Sequence, residues 1–311
     1  MKLKALVAIV VIATTITPSQ AAIKKVPVKS ISVIAAKPIL TTTLSGAAGD
    51  QILGLATTPN SIVITGVMES QTVLGRTDGF ITSLDAKGKV SWTLHLGGPL
   101  DDLASGATRD AAGNFWVVGA SPQVSAAPTT NTASALNPDG VIADTVPVSD
   151  STPRVFTVWK VSADGKLLST YSYPMNMGVY PRTIAVSGSG FIAGGDLADG
   201  TSFTLSISGL GEFSNLATFT SKRINPVAIT VIPAGTATFK SFISSTTIVG
   251  IPSWKPKSAI PVVLQYAKVP TLRAAYSLKG TVNNLLYQSG LGLVVVADQA
   301  SAYAIYLFPL V

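Results

Sequence analysis

A few carboxylates that lie just before β-rich runs have the clearest chemical potential in this sequence. Asp50 precedes Gln-Ile-Leu-Gly-Leu-Ala, and Asp101 and Asp102 precede Leu-Ala-Ser-Gly-Ala-Thr. Two carboxylates that face each other across a bound sugar can serve a glycosidase as acid and as nucleophile or base. One functional alternative is therefore a carbohydrate-active hydrolase that uses Asp50 and Asp102.

Other side chains favour binding without catalysis. Trp254 is followed by Lys255 and Lys257, and an aromatic ring beside cations can stack on a sugar or hold an acidic ligand. Arg76 and Arg182 lie in or next to predicted loops. We therefore predict a ligand-binding set of Asp50, Arg76, Asp102, Arg182 and Trp254. The alternative for Trp254 is a surface ring that covers the edge of a sheet.

Composition excludes several classes of site. The 311 residues include 22 Lys+Arg, 15 Asp+Glu, one His and no Cys. This leaves no disulfide, no Cys nucleophile, no Cys-ligated metal and no centre built from several histidines. Sequence patterns for a serine nucleophile, a zinc protease or a phosphate loop are missing, and no basic stripe suits nucleic acid. We expect no cofactor, no resident metal and no enzymatic activity.

The N-terminus has the features of an export signal. Lys2 and Lys4 precede an unbroken apolar run from Ala5 to Ala13, and small residues lead to Ala21. An uncleaved membrane anchor is the alternative, but nine residues fall short of the ~20 that a bilayer requires. We predict a signal peptide over residues 1–21, a basic solvated tail over 22–37, and a secreted or envelope location.

Internal repetition indicates the architecture. Four short runs rich in Val, Ile, Phe, Trp and Thr, separated by turn residues, recur along the chain. The first copy spans residues 50–98 and the second spans 102–171, and three weaker copies follow to residue 308. Asp85-Ala-Lys-Gly88, Asp110-Ala-Ala-Gly-Asn114 and Ala163-Asp-Gly-Lys166 are predicted to be tight turns, since none has the ligand pattern of a calcium loop.

The fifth copy lacks its fourth strand, and the run from Pro38 to Gly46 fits that place. A ring of sheets leaves two edge strands with unpaired backbone groups unless its first and last sheets join. We therefore predict an all-β fold, a five-bladed β-propeller of four-stranded blades over residues 38–311, in which an N-terminal strand completes the last blade. Residues 121–153 are predicted to form a long loop insert.

Residues 78–119 resemble the SBBP-type β-propeller repeat of secreted bacterial proteins. The match lies in Gly97-Gly98, in Asp102, and in the turn Asp110-Ala-Ala-Gly-Asn114 before the aromatic strand that ends at Gly119. That family has no common activity, so the resemblance implies a scaffold or binding role and brings no catalytic residues.

These observations predict a secreted binding module, which we expect to be a monomer. Its partner would be a carbohydrate, a cell-wall polymer or another protein, held by one loop face. A hydrolase and a structural surface protein without a ligand remain the alternatives. Asp50, Asp102, Asn225 and Asn284 recur where inner strands begin, which suits either a ring around the channel mouth or hydrogen bonds between neighbouring blades.

Overall fold

The computed structural model describes residues 31–42, 50–69, 77–98, 100–123, 152–220, 228–231, 238–244, 248, 251–268, 271–299 and 302–310. Regular structure in these ranges consists of strands. Within them, no helix has the length and apolar character needed to cross a bilayer. The signal peptide, the tail up to residue 30 and most of the 121–153 insert lie outside the described residues.

The strands form five sheets, which are the five predicted blades. Blade 1 contains β3 (Gln51–Thr57), β4 (Ser61–Glu69), β5 (Thr77–Asp85) and β6 (Val90–Leu96). Blade 2 contains β7 (Leu103–Arg109), β8 (Phe115–Pro122), β9 (Pro153–Val161) and β10 (Leu167–Pro174). Blade 3 contains β11 (Val179–Ser187), β12 (Gly190–Leu197), β13 (Ser202–Ile207) and β14 (Phe213–Phe219). Blade 4 contains β15 (Ala228–Val231), β16 (Thr238–Ser244), β17 (Ile260–Lys268) and β18 (Thr271–Ser277), and blade 5 contains β19 (Thr281–Gln288), β20 (Gly292–Asp298) and β21 (Tyr303–Phe308).

Blade 5 is completed from the other end of the chain. Strand β2 (Leu40–Thr42) pairs antiparallel with β21, with Leu40 opposite Ile305. The Ile39 amide also donates to the Ile305 carbonyl over 2.7 Å. The predicted fold is therefore confirmed: an all-β, five-bladed propeller whose N-terminal strand closes the last blade.

One strand was not predicted. Strand β1 (Val33–Ala35) runs parallel to β18 and adds a fifth strand to the outer edge of blade 4. Ile31 and Val33 pack on the apolar cluster of that blade. The last part of the segment predicted to be a solvated tail over residues 22–37 is thus a strand. It covers an edge that would otherwise offer open hydrogen-bonding groups.

Packing between blades explains the hydrophobic composition. Middle strands such as β8 and β20 are buried on both faces, whereas the outer strand β10 is half exposed along its length. A strand covered on both faces needs a continuous apolar run. Aromatic side chains meet across blade boundaries: the ring centroids of Trp92 and Phe115 are 6.1 Å apart, and those of Trp116 and Phe191 are 4.5 Å apart.

The predicted tight turns have a second role in this packing. Gly165, at φ +87°, lies so close to the ring of Trp92 in the preceding blade that an added Cβ would sit 2.5 Å from Cδ2. Gly211 makes the same close approach to the Tyr171 ring, and Gly88 to Leu40 of β2. In each case a turn glycine of one blade packs against the outermost strand of the blade before it. Only glycine combines this backbone conformation with that clearance.

Candidate functional site

The inner strands share an irregularity of the β-bulge type. The pairing of β3, β7, β11 and β19 with their neighbours slips by one residue at Leu53, Ser105, Arg182 and Asn283 respectively. A bulge leaves one residue outside the ladder and re-aims its side chain. These four residues hold equivalent positions near the start of their strands, so the bulges act at one level of the central channel.

The re-aimed residues line one cavity. Its volume is about 380 Å³, within the ~300–1,000 Å³ that is typical of small-molecule sites. The lining combines amide, phenol, hydroxyl and guanidinium groups with three apolar side chains: Leu53, Leu103, Ser105, Tyr180, Pro181, Arg182, Asn283 and Asn284. Four blades therefore contribute to a single pocket at the end of the channel where the inner strands begin.

Contacts between neighbouring inner strands fix the spacing of this pocket. A Cβ on Gly54 would lie 2.5 Å from the Ser105 carbonyl oxygen, and one on Gly106 would lie 3.0 Å from that of Arg182. Asn284 holds the corresponding position in blade 5, and its Nδ2 donates to the Leu53 carbonyl over 3.3 Å. In blades 1, 2 and 5 the residue after the bulge thus contacts the bulge of the next blade, through close approach or through a hydrogen bond.

Arg182 is held by the second strand of its own blade. Its Nε donates to Oδ2 of Asp196 over 2.5 Å, and Asp196 Oδ1 accepts from the Ser202 hydroxyl over 3.2 Å. The Arg182 side chain is still 64% exposed. The ion pair therefore orients the guanidinium group without burying it.

The structure separates the predicted site residues. Arg182 lines the cavity, while Arg76 lies outside the described residues, as does Asn225. Asp50 is half-buried at the start of β3, where its backbone carbonyl accepts from the Tyr303 hydroxyl over 3.3 Å, and it is not part of the cavity lining. Trp254 packs against the apolar cluster of blade 4. Of the four predicted site residues that the structure describes, Arg182 alone belongs to the cavity lining.

Asp102 joins blades 1 and 2. Its side chain is 3% exposed, and its oxygens accept from the Gly98 amide over 2.7 Å and from the Ser121 hydroxyl. Its backbone amide donates to the Thr77 carbonyl in blade 1. Burial raises the pKa of this carboxyl above its ordinary value, against the opposing effect of the two hydrogen bonds. This geometry matches the predicted alternative of hydrogen bonds between blades.

One sequence-based grouping needs correction. Asn284 was grouped with Asp50 and Asp102, but the strand register makes it equivalent to Gly54 and Gly106. Asp50 and Asp102 lie three residues before the bulge of their strands, whereas Asn284 lies directly after it. The structure also brings Nδ1 of His95 to 3.3 Å from Oδ2 of the buried Asp78.

The carboxylate of the Asp110 turn is satisfied by protein groups. Asp110 accepts from the Asn114 amide over 2.8 Å and from Nε1 of the buried Trp116 over 3.0 Å. Lys160 lies 4.0 Å from the same carboxylate and 5.1 Å from the Trp116 ring centroid. Within the described ranges, no three His, Asp or Glu side chains converge on a point that would suit a metal ion.

Sequence reasoning missed most of the cavity, including Tyr180, Ser105 and Asn283. A usable signal was present in Gly54 and Gly106, two glycines inside predicted inner strands. Glycine in a strand often marks a bulge or a close backbone approach. Aligning the repeats on these glycines points to Leu53 and Ser105 as the bulged positions.

No family model matches the sequence, and no curated protein matches it. The resemblance to the SBBP-type repeat therefore stays a prediction. Similar solved structures include an exo-β-1,3-galactanase from Phanerochaete chrysosporium, with a TM-score of 0.41 and 8% identity. The match covers 88% of this chain and 64% of the galactanase chain, so this chain spans less than two thirds of that protein.

Two further structures show the range of these similarities. A protein of unknown function from Bacteroides caccae has a TM-score of 0.38 and 12% identity, over 82% of this chain and 73% of that one. The β-propeller domain of the Trilobed protease from Pyrococcus furiosus has a TM-score of 0.27 and 8% identity, over 83% and 69%. Identities this low transfer no activity, and the five sheets themselves establish the propeller.

Proposed function

We propose that this protein is an exported binding module that holds a carbohydrate at the mouth of its central channel. The observation that carries the proposal is the convergence of four bulged inner-strand residues on one cavity. A purely structural ring has no need to bring Arg182 and Asn283 to the same space. Export rests on the predicted signal peptide.

The lining has the chemistry that hydroxylated rings require. Each side-chain amide offers a donor beside an acceptor, and the guanidinium offers several donors in one plane. Such planar sets suit adjacent hydroxyl groups of a sugar. Tyr180 is 40% exposed and offers an aromatic face for the apolar side of a sugar. Asn284 is already oriented by its bond to the Leu53 carbonyl, so its carbonyl oxygen is positioned before a ligand arrives.

A hydrolase that uses Asp50 and Asp102 has less support. Neither carboxylate lines the cavity, and both Asp102 oxygens already accept hydrogen bonds, one from Gly98 after blade 1 and one from Ser121 of blade 2. The eight lining residues include no Asp or Glu, whereas glycoside hydrolysis needs two such groups beside the sugar. We therefore favour binding without turnover.

A glycan array tests the proposal. The wild-type protein is expected to bind one glycan class, and Asn283→Ala is expected to weaken that binding by about tenfold, the loss of ~1.4 kcal/mol of hydrogen bonding. Asn60→Ala is the matched control, since Asn60 is also exposed but lies in the turn between β3 and β4, at the opposite end of blade 1. A folded protein that binds no glycan, or equal effects of the two variants, would contradict the proposal and favour a protein partner or a structural role.

A further inference from the structure

The cavity has an uneven charge. Arg182 is its single charged lining residue, and the remaining seven are neutral. The nearest described carboxylate in the hydrogen-bond network, Asp196, is engaged by Arg182 Nε and by Ser202. An anionic group that enters the cavity therefore meets a cation and hydrogen-bond donors, with no carboxylate lining the wall.

The ion pair with Asp196 also determines which edge of the Arg182 guanidinium is available to a ligand. Because Asp196 takes the Nε edge, the two terminal amino groups form the edge that is left for a ligand. A planar guanidinium edge matches a planar carboxylate and binds it through two parallel hydrogen bonds. Hydroxyl groups can also accept from these donors, but they carry no negative charge, so the charge-assisted bonds favour a carboxylate.

The remaining polar groups do not suit a bare anion. Asn283 and Asn284 lie in the blade 5 wall and supply amides, and Tyr180 supplies a ring face next to Arg182. Amides and aromatic faces recognise hydroxyls and ring carbons. The cavity thus combines one carboxylate-binding edge with several groups that suit a hydroxylated ring.

Resting on the proposed function, we propose that the ligand is an acidic saccharide, a hexuronic acid residue whose carboxylate binds the terminal amino groups of Arg182. Asn283, Asn284 and Tyr180 then contact its hydroxyls and ring. Asp196 acts as a positioning residue that fixes the guanidinium plane.

Matched saccharide pairs test this inference by titration calorimetry. The probes are oligogalacturonate, oligomannuronate and hyaluronan oligosaccharides, each beside its carboxyl-reduced counterpart. The wild-type protein is expected to bind one acidic probe at least about tenfold more tightly than its reduced form. That affinity should fall as salt rises, because ionic attraction is screened.

Variants assign the preference to Arg182. Arg182→Gln should remove the difference between acidic and reduced probes, and Asn283→Ala should weaken both by the same factor. Arg273→Gln is the control, since Arg273 is an exposed arginine on β18 of blade 4 and does not line the cavity. Arg182→Lys keeps the charge and should retain part of the preference if Gln disturbs folding, and thermal melts report on folding in every case.

The outcomes separate the two proposals. If the protein binds neutral glycans on the array but prefers no acidic probe, the acidic inference is overturned while the binding function stands. A preference that survives in Arg182→Gln also overturns it. If no glycan binds at all, the proposed function itself fails.

Discussion

Replacing Gly165 with alanine probes the packing of turns against the preceding blade. The new Cβ would lie 2.5–2.9 Å from three ring atoms of Trp92, at a backbone φ of +87°. The left-handed conformation costs a non-glycine residue about 1–2 kcal/mol, and overpacking adds about 1–3 kcal/mol. We therefore expect the free energy of unfolding to fall by about 2–5 kcal/mol.

Gly200 supplies the matched control. It has nearly the same φ, +84°, but nothing lies within 4 Å of an added Cβ. Gly200→Ala should therefore lose only the conformational part, about 1–2 kcal/mol. The difference between the two variants measures the contact with Trp92.

Urea denaturation of a double-mutant cycle is the assay. Trp92→Ala removes the ring, so Gly165→Ala made in that background should cost about 1–3 kcal/mol less than in the wild type. The slope of unfolding against urea should stay constant, since the folded state keeps its surface. Equal losses in Gly165→Ala and Gly200→Ala, or an additive cycle, would refute the packing argument.

Three further predictions concern closure, pH and a turn. Leu40→Asp should lower the free energy of unfolding by about 2–4 kcal/mol, because Leu40 packs on the cluster shared by blades 1 and 5. The neighbouring Thr41 is exposed, so Thr41→Asp should lower it by under about 1 kcal/mol. Burial raises the pKa of Asp102, so the wild type should gain stability relative to Asp102→Asn as pH falls from 7 towards 4. The pKa of Asp164 is lowered by hydrogen bonds from Ser162 and Lys166, so the wild type should lose stability relative to Asp164→Asn as pH falls below about 4. Asp110→Ala should cost about 1–3 kcal/mol, because it leaves the buried Trp116 indole N–H without its acceptor.

Each of these predictions has a clear contrary result. Urea titrations that give Leu40→Asp and Thr41→Asp the same loss would argue against closure through β2. Parallel pH trends of melting temperature for the Asp102 and Asp164 variants would contradict the burial of Asp102. For Asp110, an alanine variant that loses less than about 1 kcal/mol would show that the Trp116 bond contributes little.

Local chemistry allowed the sequence to predict much of the fold. Turn residues such as Asp110 and Asn114 specify their conformation through hydrogen bonds within five residues, and apolar runs such as β20 specify burial. The missing fourth strand of the last repeat pointed to β2. These features are predictable because each depends on a short segment or on counting repeats.

Strand β1 and the cavity depend on contacts that no short segment encodes. Val33-Ile-Ala35 has no turn signal of its own and becomes a strand because the outer edge of β18 accepts it. The bulges arise where inner strands meet neighbouring blades, so Arg182 and Asn283 reach one pocket although they lie about 100 positions apart in the chain. Asp78 and His95 likewise meet through strand register.

The pairing of β2 with β21 has a consequence for the order of assembly. The hydroxyl of Tyr303 bonds to the Asp50 carbonyl across 253 residues of sequence, and β2 must wait for β21 before it has a partner. Contacts of such separation slow folding, because most of the chain must be ordered before they form. The ribosome therefore synthesises the first half of the propeller long before the ring can close. In a chain truncated before β21, strand β2 has no strand to pair with.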